Sequence, residues 1–159
     1  MSRHDIRFTG AWRSRLSPDA VYAMLADVGA YPSWWSAFRS VRQTGEGECE
    51  VVIRALLPYA LTARLTPVVE DPVARVLEAS VDGDIAGSVR WTIDPDEHEG
   101  CVARFAEHVT VRKAALRLWM PLARPFFHLN HAAAMGSGRR GLAARAPQVH
   151  QVHQVHQAR

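Results

Sequence analysis

Hydrophobic and polar positions alternate along residues 5–14, DIRFTGAWRS, where Ile6 and Phe8 oppose Arg7 and Thr9, the period of a half-buried strand. Ser17-Pro18-Asp19 then reads as a helix start: an N-cap serine, a proline at the first helical position and an acid in the first turn. Val21, Met24, Leu25 and Val28 follow at helical spacing, and Gly29 is placed to end that helix. Pro32 is expected to restart the chain as a short second helix through about Phe38. From residue 40 the period changes to two. CEVVIRALL sets Cys49, Val51, Ile53, Ala55 and Leu57 against Glu50 and Arg54, and LTARL sets Leu61, Ala63 and Leu65 against Thr62 and Arg64. GSVRWTI places Val89, Trp91 and Ile93 opposite Arg90, and CVARFAEHVTV places Ala103, Phe105, Val109 and Val111 opposite Arg104 and His108. One face apolar and one wet is the signature of an antiparallel sheet with a single buried side. Turn chemistry at TGEGE (44–48), LPY (57–59), EDP (70–72), DGD (82–84) and DPDEHEG (94–100) divides the stretch into a meander of about six strands.

The last apolar pattern is helical again, from near Leu116 to about Ala144, with Phe127, Asn130/His131, Ala134, Gly138 and Leu142 along one stripe. Pro121 and Pro125 belong near its beginning, because an interior proline costs about 3 kcal/mol. This helix must cross the apolar face of the sheet, since no other element is long enough to cover it. Gly136 and Gly138 each weaken it by about 1 kcal/mol relative to alanine, and either permit close approach to the sheet or leave room for something between. The reading is one domain over residues 1–146, followed by a tail, 147–159, whose QVHQVHQVHQ repeat cannot supply a core and is expected to lack fixed structure. His150, His153 and His156 in that tail have no second shell to hold a metal, and no metal or other cofactor is expected anywhere.

Composition narrows the classes. A chain of 159 residues, 48% hydrophobic, can bury about 70% of its unfolded surface and needs no disulfide or metal. Cys49 and Cys101 stand far apart without CxxC or Cys/His spacing and read as small buried thiols. No run approaches the roughly 20 apolar residues of a spanning helix, and MSRHDIRFTG is no secretory signal, so a cytoplasmic location is expected. The net charge of +3 is unevenly placed: no acid follows Glu107, while Arg112, Lys113, Arg117, Arg124, Arg139, Arg140, Arg145 and Arg159 do. That cationic third is either a solvated helix face or a weak contact for an anionic membrane surface. Nucleic acid is not an expected partner, because no aromatics interleave the arginines. GxSxG, P-loop, dinucleotide and HExxH motifs are all absent.

SPDAVYAMLADVGAYPSWW, the GDIAGSVRWTI hairpin and LARPFFHLNHAAAMGSGRRGL resemble the START/birch-pollen-allergen-like superfamily, SRPBCC, in its polyketide cyclase/dehydrase and lipid-transport branch. The resemblance spans about residues 5–146. It implies an α+β helix-grip fold: a curved seven-stranded antiparallel sheet wrapped around a long C-terminal helix, with two short helices after the first strand. It also implies a cavity between sheet and helix for a hydrophobic small molecule, and the alanines and glycines facing that space suit an underfilled interior. Ligand-binding candidates are Trp35, Phe38, Ile53, Leu65, Trp91, Phe105, Phe127, Asn130 and His131. In YPSWW (31–35), Trp34 and Trp35 point about 100° apart on a helix, so one indole is expected under the first helix and the other at the cavity mouth, unless both pack on the sheet edge.

Whether chemistry occurs in that cavity stays open. Glu107 falls in register with Phe105 and Val109 on the apolar side, where a desolvated carboxyl would have a raised pKa. A one-residue slip would bring in Arg104 and His108 instead. His131 could move a proton and Asn130 could orient a carbonyl, or the two could be a packing feature. A binding protein for a lipid-like or polyketide-like molecule is the leading expectation. An aromatase/cyclase or dehydratase using His131, Glu107 and Tyr59 is the rival, and a co-chaperone-like or membrane-adjacent interaction module the third. Ligand identity and oligomeric state are not legible.

Overall fold

In the computed structural model, which describes the backbone of residues 5–157 and the side chains of residues 5–114 and 124–145, the chain opens with β1 (Asp5–Ser14). Ser17 then caps α1 (Pro18–Ala26), its Oγ accepting the Ala20 amide at 3.2 Å. Pro18 lacks the amide that this first turn would leave unpaired, and Asp19 suits the positive end of the helix dipole. Val21 and Leu25, one turn apart, are the buried face; full burial of such side chains contributes about 1.5–3 kcal/mol each.

A 3₁₀ turn follows at Val28–Ser33. The second helix expected from Pro32 to Phe38 is therefore displaced: Pro32 lies inside the 3₁₀ turn and Phe38 is the first residue of β2 (Phe38–Gln43). The backbone explains it. The Trp34 and Trp35 amides both donate to the Tyr31 carbonyl, at 3.1 and 2.7 Å, and Phe38 is taken into sheet pairing with Ile53. The meander continues as β3 (Cys49–Ile53), β4 (Leu61–Asp71), β5 (Val76–Gly83), β6 (Ile85–Pro95) and β7 (Cys101–Val111). The third strand stops short of Ala55 and Leu57, because the Leu56 and Leu57 amides donate to Asn130 Oδ1 and not to a neighbouring strand.

These strands form one antiparallel sheet of order β1-β7-β6-β5-β4-β3-β2. The segment of α1 and the 3₁₀ turn thus carries the chain from one edge of the sheet to the other. Register sets the interior rows: Phe8 faces Glu107 across β1 and β7, and Glu107 faces Val89 across β6. The wet face is paired across strands, as in Arg42–Glu50 at 2.7 Å and Arg104–Asp94 at 2.6 Å, exposed contacts worth little individually.

Helix α2 spans Ala114–Gln157. The amides of Arg112 and Lys113 both bond the Asp84 carbonyl, at 2.8 and 3.0 Å, so the turn out of β7 is complete by residue 113 and the helix begins at Ala114. Pro121 and Pro125 consequently lie inside the helix and not at its start. Helix α2 continues through Gln157, so the backbone of 147–157 is helical where a tail without fixed structure is expected; the side chains there lie outside the described residues. Among the described residues no helix is long and apolar enough to cross a membrane.

The apolar stripe of α2 meets the sheet through Phe127, Met135, Gly138 and Leu142, all buried. Gly138 lies under two indoles: a Cβ there would stand 2.5 Å from Trp35 Cε2 and 2.6 Å from Trp12 Cη2. Gly141 is tighter, since its Cβ would fall on the Trp34 carbonyl oxygen. Trp35 Nε1 donates to the Ala134 carbonyl of the helix at 2.8 Å. Both tryptophans of YPSWW are buried, and they are the seat on which α2 rests.

Glycine here has opposite effects at two positions. Gly136 meets only the mobile end of Arg140, at 3.4 Å, so Gly136→Ala is expected to stabilise the protein by up to about 1 kcal/mol through helix propensity. Gly141→Ala must displace backbone and is expected to destabilise by about 1–3 kcal/mol. Urea denaturation of the two variants measures both; a Gly141→Ala variant as stable as the parent would contradict this packing.

Candidate functional site

The aromatic residues are gathered toward one end of the interior. Trp12 stands edge-on to Trp35 and Trp91, with ring centroids 5.1 and 4.8 Å apart, and Trp35 stands edge-on to Phe38 at 4.8 Å. Tyr31 joins them, its hydroxyl donating to the Leu25 carbonyl at 2.6 Å. Burial, and secondarily the carboxylate of Asp27, raises its phenol pKa. Beside this cluster the facing positions are smaller: Ala63 on β4, Ala79 and Val81 on β5, Ile85 and Val89 on β6. The space these side chains leave is a cavity of about 520 Å³, within the usual size of a small-molecule site. Its walls are the inner face of the sheet, the end of α1 and the 3₁₀ turn.

Of the ligand-binding candidates, Trp35, Phe38, Ile53, Leu65 and Trp91 line it. Phe105, Phe127, Asn130 and His131 do not. The Phe105 ring covers Gly10, and Phe127 packs in a separate cluster with Ile6, Val109 and Val111. Asn130 is occupied in holding the loop after β3, its Oδ1 accepting the Leu56 and Leu57 amides at 2.9 and 3.1 Å. The described part of α2 thus touches the cavity only at second hand, through the indoles and through His131.

Glu107 is the lining residue with chemistry. The apolar-side register holds, and the slipped one does not: Arg104 and His108 are exposed on the other face. Glu107 Oε2 lies 3.0 Å from His131 Nε2, with side chains 19% and 18% exposed respectively. The imidazole is held flat against Phe8, with centroids 3.6 Å apart and planes at 3°. Sheet register fixes the carboxylate, while helix position and ring stacking fix the imidazole, so neither group is free to rotate away. Tyr59 is apart from both. Its hydroxyl is buried with no hydrogen-bond partner among the described residues, burial raises its pKa, and its ring packs beside the Phe127 cluster.

Lining residues outside the candidate set include three with titratable groups near the end of α1. Cys49 and Tyr31 face the cavity, and so does Asp27 at the C-terminal cap of α1. An acid at the negative end of a helix runs against the dipole, and that mismatch in ADVG was the readable signal.

Solved structures share the fold. The Zhui aromatase/cyclase from Streptomyces sp. R1128 superposes with a TM-score of 0.72 at 16% identity, over 91% of this chain and 93% of that one. A START superfamily protein from Mycobacterium smegmatis gives 0.66 at 14% identity, over 92% and 99%. Norcoclaurine synthase from Thalictrum flavum gives 0.55 at 14% identity, over 84% and 94%. No curated protein matches the chain in sequence. The family profile for polyketide cyclase/dehydrase and lipid transport matches residues 5–146, the whole helix-grip body. The chain therefore belongs to the polyketide cyclase/dehydrase and lipid transport family, within the START/SRPBCC superfamily.

Proposed function

We propose that the protein binds a hydrophobic small molecule, lipid-like or polyketide-like, in the cavity enclosed by the sheet, the end of α1 and the 3₁₀ turn. The observation that carries this reading is a cavity of about 520 Å³ walled chiefly by Leu, Val, Ile and aromatic side chains. An apolar void of that kind costs stability, by about 24 cal/mol per Å³ in one measured series, and an apolar guest recovers part of the cost. The family and the folds it resembles support the same use.

Cys49 reports occupancy from inside. Its thiol pKa is raised by burial first and by Asp27 second, so maleimide is expected to label it slowly and faster as pH rises. Cys101 is fully buried, its pKa pushed up to about 11 by burial, and is expected to label only on unfolding. Native mass spectrometry of gently purified protein is expected to show a co-purifying apolar molecule. The uncharged dye N-phenyl-1-naphthylamine is expected to bind and to slow Cys49 labelling severalfold. Leu65→Trp, which fills the cavity, is expected to weaken the dye roughly tenfold or more. Unchanged dye binding in a folded Leu65→Trp variant would place the site elsewhere.

A second reading rests on the Glu107–His131 pair. A carboxylate in the cavity wall, backed by an imidazole at 3.0 Å, can exchange a proton with a bound guest, as a cyclisation or dehydration needs. His131 does not line the cavity, so Glu107 is the group that would touch substrate and His131 the one that positions it. For a polyketide substrate that the protein turns over, Glu107→Gln is expected to leave dye affinity within about threefold while lowering kcat by about 100-fold or more. Equal kcat in the two proteins would remove Glu107 from the chemistry.

A further inference from the structure

The sign of charge around the cavity narrows what it admits. Its described lining includes four acidic residues, Asp27, Glu70, Glu78 and Glu107, and no lysine or arginine, the Glu78 carboxylate itself being turned to Arg90. This is unusual in a chain of net charge +3 with 19 basic residues against 16 acids. The cations are directed elsewhere. Arg42, Arg90 and Arg104 pair with Glu50, Glu78 and Asp94 between neighbouring strands, Arg112 beyond β7 pairs with Asp82, and Arg64 is exposed.

The four acids are not equivalent. Glu78 is already matched by Arg90. Glu107 is bonded by His131 at Oε2, and no described residue bonds its Oε1. The side-chain carboxylates of Asp27 and Glu70 have no hydrogen-bond or ion-pair partner among the described residues, and both residues are exposed, as befits a rim. Asp27 ends α1, its amide donating to the Ala23 carbonyl, while its carboxylate is opposed by the helix dipole and makes no side-chain cap bond. Its field nevertheless reaches the interior: it contributes to raising the pKa of both Tyr31 and Cys49.

On the reading that this cavity is a binding site, we propose that its guest is an apolar molecule bearing an amine, and that carboxylate and phosphate heads are rejected. Charge of one sign at the rim and in the wall, with low-dielectric surfaces between, attracts a cation on entry and leaves an anion without any compensating group. An alcohol or other uncharged head is tolerated, because it meets neither attraction nor repulsion. Arg42, Arg90 and Arg104 on the outer face are already paired and shape the entrance little.

Displacement of N-phenyl-1-naphthylamine by decylamine, decanol and decanoate tests this with one chain length and three heads. The expected order is amine first, alcohol next, and decanoate weaker than decylamine by roughly tenfold or more. Asp27→Asn and Glu107→Gln are each expected to shrink the amine-to-carboxylate ratio severalfold without changing displacement by decanol. Asp94→Asn, on the outer face, alters net charge equally and is expected to leave the ratio unchanged. Decanoate binding as well as decylamine, or an Asp94→Asn effect equal to that of Asp27→Asn, would overturn the head-group proposal while leaving the cavity reading intact. Failure of all three compounds and the dye to bind folded protein would overturn both.

Discussion

The seating of α2 on the indoles of Trp12, Trp34 and Trp35 is the contact on which the rest of the interior depends. Two glycines, Gly138 and Gly141, bring the helix backbone onto aromatic rings and onto a main-chain carbonyl, closer than any side chain would allow. The bond from Trp35 Nε1 to the Ala134 carbonyl then fixes the helix along its axis. A Cβ at either glycine would lift the helix and open the sheet's inner face to water. The YPSWW segment therefore serves as a bearing surface, and its density of aromatic side chains follows from that role.

Concentrating bulk at one end leaves the other underfilled. The indoles and Phe38 meet edge to face, an arrangement worth about 0.5–1.5 kcal/mol per pair beyond burial. With the helix propped on them, the alanines and valines of β4, β5 and β6 face a space they cannot fill. The cavity is thus a geometric consequence of where the aromatics stand. It places Glu107, held by sheet register, at a boundary between the void and the helix, with His131 behind it against Phe8.

The sheet was legible because period-two alternation and turn residues act locally. The strands and the Ser17 cap follow from such local signals, whereas the choice between Glu107 and Arg104 or His108 as the inward set needed the pairing with β1 and β6. What was not legible depends on contacts distant in sequence. Phe38 became a strand residue because Ile53 pairs with it, and β3 stopped early because Asn130 captures the next two amides. The prolines of α2 sit inside the helix because Asp84 completes the preceding turn. Among the described residues the indoles stand between α2 and the cavity, an arrangement set by contacts far apart in sequence. Asp27 did leave a local trace, an acid at the wrong end of a helix, whose meaning became clear only beside the cavity.

The interior divides into a filled aromatic end that carries α2 and an open end that is the proposed seat of a guest. A crystal structure with an apolar guest carrying bromine, such as 10-bromodecan-1-ol, measures this most directly. The account predicts an anomalous peak among Leu65, Val81, Val89 and Trp91, with Trp35 still bonded to the Ala134 carbonyl. A peak between α2 and the indoles, or one only on the outer surface, would contradict it.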